Sequence, residues 1–175
     1  MYSVFTVGVS TKIIGGYAAS DDHSRGELSF FREVVEQTMV NCPSFDVLLG
    51  DGIFANRVAC AILEETSTSM GGRVRSYFLP KSNSTFRSKG VPLWIRMLIS
   101  FVSEPQKWLE SYHMRPISET VNSMLKCRES TNIRKKLNPR KNVQETLKFM
   151  VHNIRQICYL KYLQPQLLNL QIITH

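Results

Sequence analysis

The spacing of hydrophobic positions changes along the chain from that of strands to that of helices. Residues 2–9 and 13–19 are rich in β-branched and aromatic residues and flank a short polar link, which predicts a β-hairpin. Apolar residues at helical spacing then predict a helix over residues 28–40. Three more elements follow in the order strand, helix, strand, at residues 45–51, 56–65 and 74–80.

The remainder of the chain has only helical spacing. Residues 93–110 predict helical pieces broken at Pro105, because proline lacks the N–H donor that a helix interior needs. A further helix is predicted over 112–126, then a basic loop over 128–141 and a last amphipathic helix over 142–163. Strands that alternate with helices favour an α/β fold with some parallel pairing.

Charge is unevenly distributed between the two halves. Residues 1–72 carry four Lys and Arg against nine Asp and Glu, a net −5, whereas residues 73–175 carry eighteen against five, a net +13. A basic half of this size predicts a polyanionic partner, usually nucleic acid, with a merely solvated surface as the alternative. The basic loop fits either a DNA-backbone contact or a solvated loop. Trp94 and Trp108 are predicted as packing residues rather than base-stacking platforms.

The cysteines and the apolar runs narrow the class of protein. The four cysteines form no CxxC pair and show no zinc-finger spacing, so free thiols in partly buried positions are predicted, at Cys42, Cys60, Cys127 and Cys158. No apolar run reaches the ~18 to 20 residues of a membrane span, and the first residues lack the features of a signal peptide. These observations predict a soluble, cytoplasmic protein.

Asp51 is the first candidate for chemistry. It ends a compact apolar strand, and sites in open α/β sheets gather at the carboxyl ends of strands. A solvent-exposed turn aspartate before a helix is the simpler alternative.

The second candidate is the stretch YHMRPISETVNSMLK, residues 112–126. At 100° per residue, a helix places four of its polar side chains within a ~60° arc, namely Tyr112, Arg115, Glu119 and Lys126. Proline fits best in the first turn of a helix, so Tyr112 and Arg115 can instead lie in a turn that leads into it. A solvated face of mixed charge is the alternative interpretation.

These intervals resemble the signature of DDE transposases of the insertion-sequence-four type, in which Tyr, Arg, Glu and Lys are separated by two, three and six residues. FDVLLGDGIFANR also resembles the strand of the family's second aspartate and the helix after it. NVQETLKFMVHNIRQI resembles the closing helix, with its His-Asn pair at His152 and Asn153. The resemblance covers nearly the whole chain and implies an RNase H-like fold, a mixed five-stranded sheet flanked by helices.

The resemblance also implies roles for the polar residues. Asp51 and Glu119 would be the second and third members of a catalytic triad that binds two divalent ions, normally Mg²⁺, with Mn²⁺ as an alternative. Carboxylates are hard oxygen ligands suited to Mg²⁺, and two such ions can stabilise both oxygens of an in-line displacement. Arg115 would hold a phosphate, and Lys126 and Tyr112 would contact the backbone of the transposon-end DNA.

The first aspartate of the triad has no counterpart that the sequence reveals. In the family it lies on the first, central strand of the sheet, and this chain is expected to begin at the second strand. Asp21 and Asp22 follow the predicted hairpin rather than a suitable strand end. Residues 1–165 are therefore expected to form a partial DDE transposase catalytic domain without its central strand, and residues 166–175 a C-terminal tail.

The function implied is DNA transposition, by metal-dependent phosphodiester cleavage and strand transfer at transposon ends, with the fragment inactive alone. Expected partners are transposon-end and target DNA, with no membrane, in a nucleoid-associated cytoplasmic location and with a homodimer in the transposition complex as an option. A non-catalytic DNA-binding remnant of a mobile element is the alternative. A host nuclease on the same fold is disfavoured, because the Tyr-Arg-Glu-Lys helix is typical of transposases.

Overall fold

The computed structural model describes residues 2–22, 26–69, 71, 74–87, 90–129 and 138–164. Its first elements are β1 (Tyr2–Val7), β2 (Ile14–Ser20), α1 (Phe31–Asn41), β3 (Val47–Gly50), α2 (Arg57–Ser69) and β4 (Arg75–Phe78). Four helices follow, namely α3 (Pro92–Ser103), α4 (Pro105–Tyr112), α5 (Ile117–Glu129) and α6 (Asn138–Leu163). Short 3₁₀ turns at Glu27–Phe30 and Gly52–Phe54 precede α1 and α2. The predicted α/β class is confirmed.

The strands form two separate pairs. β1 and β2 pair antiparallel, with Tyr2 opposite Ser20, so the predicted hairpin is confirmed. β3 and β4 pair parallel, with Gly50 opposite Phe78, so the predicted parallel pairing is confirmed as well. Within the described residues, each pair forms its own two-stranded sheet.

Helices cover both faces of the strand pairs, because successive side chains of a strand point to opposite faces. On β2, Ala18 packs in a cluster with α1, whereas Tyr17 packs against Phe149 of α6 with 4.8 Å between ring centroids. On β4, Phe78 lies in the main core beside α1 and α2, whereas Tyr77 faces α4. Each strand pair therefore has helices packed on both of its faces.

Two glycines allow neighbouring elements to approach closely, α1 to β2 at Gly16 and β4 to β3 at Gly50. A Cβ at Gly16 would lie 2.3 Å from the carbonyl oxygen of Val34, so glycine is needed where α1 crosses β2. A Cβ at Gly50 would lie 2.7 Å from the ring of Phe78. Gly50 directly precedes Asp51, so this contact also brings the end of β3 close to β4.

Helix α6 binds the main chain at the start of β2. The amide side chain of Asn153 accepts a 2.8 Å hydrogen bond from the N–H of Ile14 and donates a 2.9 Å bond to its carbonyl oxygen. The neighbouring His152 is buried, and its Nε2 lies 2.9 Å from the carbonyl oxygen of Lys12. Lys12 lies in the hairpin turn and has a φ of 56°. Because His152 contacts Lys12 and Asn153 binds Ile14, the His-Asn pair binds both the turn and the strand after it.

Helix α1 binds further main-chain groups of the same strand. Asn41 Nδ2 donates a 2.7 Å hydrogen bond to the carbonyl oxygen of Gly15. The N–H of Tyr17 donates a 3.1 Å bond to Oε1 of Gln37. Two helices therefore contribute side-chain amides to one strand.

Some predicted boundaries are wrong by several residues. Helix α6 begins at Asn138 rather than at residue 142, because Pro139 fits the first turn of a helix. Part of the predicted basic loop is therefore helical, and residues 130–137 of it lie outside the described residues, as does the predicted tail. Helix α2 continues to Ser69, beyond its predicted end. The predicted break at Pro105 is confirmed, since α4 begins there.

The structure describes all four cysteines. All four cysteines are free thiols, as predicted, but the prediction of partly buried positions was wrong, since Cys60 is buried and the other three are exposed. Burial raises the pKa of the Cys60 thiol to about 12, which makes it unreactive at neutral pH. Across the described ranges, none of the helices has both the length and the apolar character needed to cross a bilayer.

Replacing Asn153 tests how far α6 stabilises the hairpin. Asn153→Ala leaves the N–H and carbonyl of Ile14 without their partners, so we expect the free energy of unfolding to fall by about 1–3 kcal/mol. Asn142→Ala, at an exposed position of the same helix, is the control and should change it by less than about 0.5 kcal/mol. Urea denaturation followed by circular dichroism measures both, and equal values for the two variants would contradict the role assigned to Asn153.

Candidate functional site

Asp51 lies at the carboxyl end of β3, as the sequence predicts. Its Oδ1 accepts a 2.7 Å hydrogen bond from the backbone N–H of Gly52, which fixes the start of the 3₁₀ turn that follows. This bond orients the carboxylate so that the other oxygen, Oδ2, lies 3.5 Å from Nη1 of Arg115.

The stretch 112–126 is a helix end, a turn and a new helix, and the prediction of one continuous helix was wrong. Helix α4 ends at Tyr112, and the N–H of Arg115 donates a 2.9 Å hydrogen bond to the carbonyl oxygen of Tyr112 within the turn. Pro116 precedes α5, where no intrahelical N–H donor is required. Tyr112 and Arg115 therefore lie in the segment that leads into the Glu119 helix, which the sequence left open as the alternative.

The guanidinium of Arg115 connects the two predicted carboxylates. Its Nη2 lies 2.9 Å from Oε1 of Glu119, while its Nη1 is the group that contacts Asp51. The side chain of Arg115 is 27% exposed, whereas those of Asp51 and Glu119 are 66% and 63% exposed. The structure thus brings together two acidic residues that are far apart in sequence, around one partly buried cation.

A series of aromatic rings supports the guanidinium from the sheet. The ring of Trp108 lies 5.6 Å from that of Tyr77 on β4 and stacks on that of Tyr112 at 5.3 Å, with 16° between their planes. Phe101 of α3 packs edge-on against the same indole at 4.9 Å. The guanidinium carbon of Arg115 lies 5.9 Å from the Tyr112 ring centroid, within the range of a cation–π contact.

The position of Glu119 within α5 adds to this electrostatic arrangement. Glu119 lies in the first turn of the helix, where the helix dipole favours a negative charge. Lys126 is exposed in the last part of the same helix, seven residues later and about 10 Å further along the axis. Lys126 therefore shares a helix face with Glu119 but lies apart from the Arg115 cluster.

The acidic residues form a pair rather than a complete triad. Among the residues that the structure describes, no group of three or more His, Cys, Asp or Glu could hold a metal ion. Asp21, which the sequence already places after the hairpin, pairs with Lys141 of α6, whose hydrogen bond lowers the pKa of that carboxyl. Asp51 and Glu119 have the hard oxygen donors that Mg²⁺ prefers, but a cation would bind there in competition with Arg115.

The aromatic support of the site was missed by sequence reasoning. Trp108 was correctly predicted as a packing residue, since it is only 2% exposed, and Trp94 is buried as well. Its function in positioning Arg115 was not recognised. The available signal was the spacing of four residues between Trp108 and Tyr112, which places both rings on one side of a helix.

Comparison of the chain with protein-family models, with curated proteins and with solved structures gives no significant match.

Substitutions of Trp108 test whether the indole supports the site by packing. Trp108→Ala opens a cavity between β4 and α4, so we expect a loss of about 3–5 kcal/mol in the free energy of unfolding. Trp108→Phe keeps a ring and removes an indole N–H that is buried and, within the described residues, has no hydrogen-bond partner, so its cost should be clearly smaller. Urea denaturation separates the two, and an alanine variant as stable as the phenylalanine variant would exclude this packing role.

Proposed function

We propose that this chain is part of the catalytic domain of a DDE-type DNA transposase, with Asp51 and Glu119 as two of its catalytic carboxylates. The observation that carries the proposal is that both carboxylates contact the guanidinium of Arg115, at 3.5 Å and 2.9 Å. The motif joined Arg115 and Glu119 by their interval, whereas Asp51 came from a separate resemblance, that of residues 45–57. Their convergence at the carboxyl end of a parallel strand supports a common site rather than scattered surface charges.

The arrangement of strands supports the same proposal. An RNase H-like sheet would place a central strand between the hairpin and the strand that bears the second aspartate. The hairpin and the β3–β4 pair are separate two-stranded sheets within the described residues, as expected of the two outer pairs of such a sheet. Under the proposal, the first aspartate would lie on a strand between these two pairs, and the described residues, which hold only two of the three carboxylates, would be inactive alone.

The residues present fit a divalent ion in donor type, with Asp51 and Glu119 as the groups that would hold it. When bound, Mg²⁺ or Mn²⁺ would supply Lewis-acid stabilisation of phosphate oxygens. Arg115 reduces the repulsion between the two carboxylates in the metal-free site. If Asp51 and Glu119 held a divalent ion, Arg115 would be free to bind a phosphate of DNA through two parallel hydrogen bonds. Lys126 and Tyr112 are proposed to contact the DNA backbone.

A non-catalytic DNA-binding remnant is the second candidate function. It is favoured by the net charge of +13 on residues 73–175 and by the existing pairing of both carboxylates with Arg115. Such a protein would bind DNA through phosphates alone and would not need a metal ion. Metal dependence therefore separates the two candidates.

Titration with Mn²⁺ tests the metal site directly. We expect weak calorimetric binding of Mn²⁺ to the unmodified chain, and its loss in both Asp51→Asn and Glu119→Gln, because each removes one anionic oxygen donor. Arg115→Gln should bind Mn²⁺ more tightly, since the competing guanidinium is gone.

The control for this titration is Glu110→Gln, an exposed carboxylate on the neighbouring helix α4, which should leave Mn²⁺ binding unchanged. Binding that survives Glu119→Gln would leave the DNA-binding remnant as the better candidate. Strong Mn²⁺-dependent cleavage of plasmid DNA that is lost in Glu119→Gln would support the chemistry but contradict the expected inactivity of this chain alone.

The salt dependence of DNA binding tests the phosphate contacts. We expect the logarithm of the association constant for a labelled duplex to fall linearly with the logarithm of salt concentration, and Lys126→Gln to reduce the slope by about 1. Lys107→Gln is the matched control, because Lys107 is already paired with Glu104 at 3.0 Å. Fluorescence anisotropy measures the slopes, and an unchanged slope in Lys126→Gln would remove Lys126 from the DNA contact.

A further inference from the structure

A cavity of about 650 Å³ lies between α2, α3 and β4, and none of its lining residues belongs to the cluster around Arg115. Its two walls are one face of α2 and one face of α3, with residues three or four apart, as neighbours on one side of a helix are. These residues are Glu64, Ser67 and Thr68 on α2, and Leu93, Arg96 and Met97 on α3. The volume is in the range of sites that bind small molecules.

The floor of the cavity is the edge of β4 that faces away from β3. Four consecutive residues, 74–77, line the cavity, whereas side chains on one face of a strand would reach it only at every second position. The N–H of Arg75 donates a 2.8 Å hydrogen bond to the carbonyl oxygen of Asp46, so the main chain of Arg75 faces β3. The main-chain groups of the next residue, Ser76, therefore point to the other edge, on the side of the cavity.

Ser76 has three polar groups at this edge without protein partners. The residue is only 5% exposed, and within the described residues its Oγ forms no hydrogen bond. Its main-chain N–H and carbonyl likewise have none in the part of the chain that the structure describes. Burial raises the pKa of the neighbouring Cys60 thiol to about 12, and the Ser76 hydroxyl lowers it only in part, since a thiol is a weak hydrogen-bonding group. Buried polar groups normally have partners, so these groups favour a ligand that supplies them.

The walls have unused hydrogen-bond donors rather than unused acceptors. Both carboxylate oxygens of Glu64 are occupied, because Oε1 accepts a 2.9 Å bond from Nη2 of Arg96 and Oε2 a 3.2 Å bond from the N–H of Leu93. The side chain of Arg96 is 60% exposed and has further N–H donors besides the one that binds Glu64. A ligand carboxylate, which can accept two parallel hydrogen bonds from a guanidinium, fits this wall.

We infer that the cavity binds an N-acylated amino acid, either free or as the C-terminal residue of a peptide. Its carboxylate binds the guanidinium of Arg96. Its amide binds the main chain of Ser76, because an amide offers a donor and an acceptor side by side, as the next strand of a sheet does. Its apolar side chain packs on Leu93 and Met97, which are each 3% exposed. The inference uses none of the residues of the proposed catalytic site and does not depend on the proposed function.

Calorimetric titration with N-acetyl-L-leucine tests the site on the unmodified chain. We expect a dissociation constant on the order of 10⁻⁴ M, as is usual for a ligand of this size. Two matched compounds each lack one contact, since N-acetyl-L-leucinamide has no carboxylate and 4-methylpentanoate has no amide. Each should bind roughly tenfold more weakly or worse. An amide that binds as tightly as the acid, or no binding of N-acetyl-L-leucine at about 10 mM, would overturn the inference.

Two arginine variants locate the binding site. Arg96→Gln should weaken the binding of N-acetyl-L-leucine by roughly tenfold or more, because the ligand carboxylate loses its cation. Arg32→Gln is the matched control, since Arg32 also pairs with a glutamate of α2, Glu65 at 2.7 Å, but does not line the cavity. Circular dichroism checks that both variants are folded, and equal affinities in the two would remove the ligand from this cavity.

Hydrogen exchange measured by NMR tests the contact with the strand edge without any substitution. On addition of N-acetyl-L-leucine, the amide proton of Ser76 should exchange more slowly, whereas that of Arg75, already bonded to Asp46, should be unchanged. Protection that appears only outside the cavity would contradict the inference. The tripeptide acetyl-Ala-Ala-Leu with a free carboxylate separates the two sources of the ligand. Tighter binding of the tripeptide identifies a polypeptide C-terminus, and tighter binding of the single residue identifies a free N-acyl amino acid, each with the same chemistry of recognition.

Discussion

The packing of Trp108, which lies on α4, against β4 and α3 is the interaction on which the candidate site depends. The indole contacts Tyr77 on β4, Phe101 on α3 and Tyr112 at the end of α4, so three elements meet on one side chain. Because Tyr112 underlies the guanidinium, the position of Arg115 follows from the position of the indole. A polar cluster at the surface is thus oriented by an apolar contact in the interior, where side-chain positions are best defined.

In the cluster itself, two carboxylates, those of Asp51 and Glu119, share one guanidinium, that of Arg115. Asp51 is oriented by the N–H of Gly52, and Glu119 is favoured by the dipole of α5, so neither carboxylate relies on Arg115 alone. Exposed ion pairs contribute little to stability, usually less than about 1 kcal/mol. Separating Arg115 from the two carboxylates therefore costs little free energy. A site in which a ligand replaces the guanidinium requires such a low cost.

Local signals in the sequence were sufficient for most of the fold but only part of the site. The hairpin, the parallel strands and the break at Pro105 follow from β-branched runs and from the chemistry of proline. The sequence offered the turn between α4 and α5 only as an alternative, because the intervals between Tyr112, Arg115 and Glu119 also fit one continuous helix. The shared partner of Asp51 and Glu119 was also beyond sequence reasoning, since it depends on how the end of β3 meets α5. The early start of α6 was missed because Pro139 fits a first helical turn as well as a loop.

The side-chain amides that α1 and α6 contribute to β2 limit where a further strand can pair with the hairpin. Main-chain groups at Ile14, Gly15 and Tyr17 are already occupied by Asn153, Asn41 and Gln37. A free strand edge is a template for adding further strands, including those of other molecules in aggregation. Along β2, an incoming strand would first have to displace these amides, which protects that edge. Any extended segment that enlarges this sheet is therefore directed to the opposite edge, beside β1.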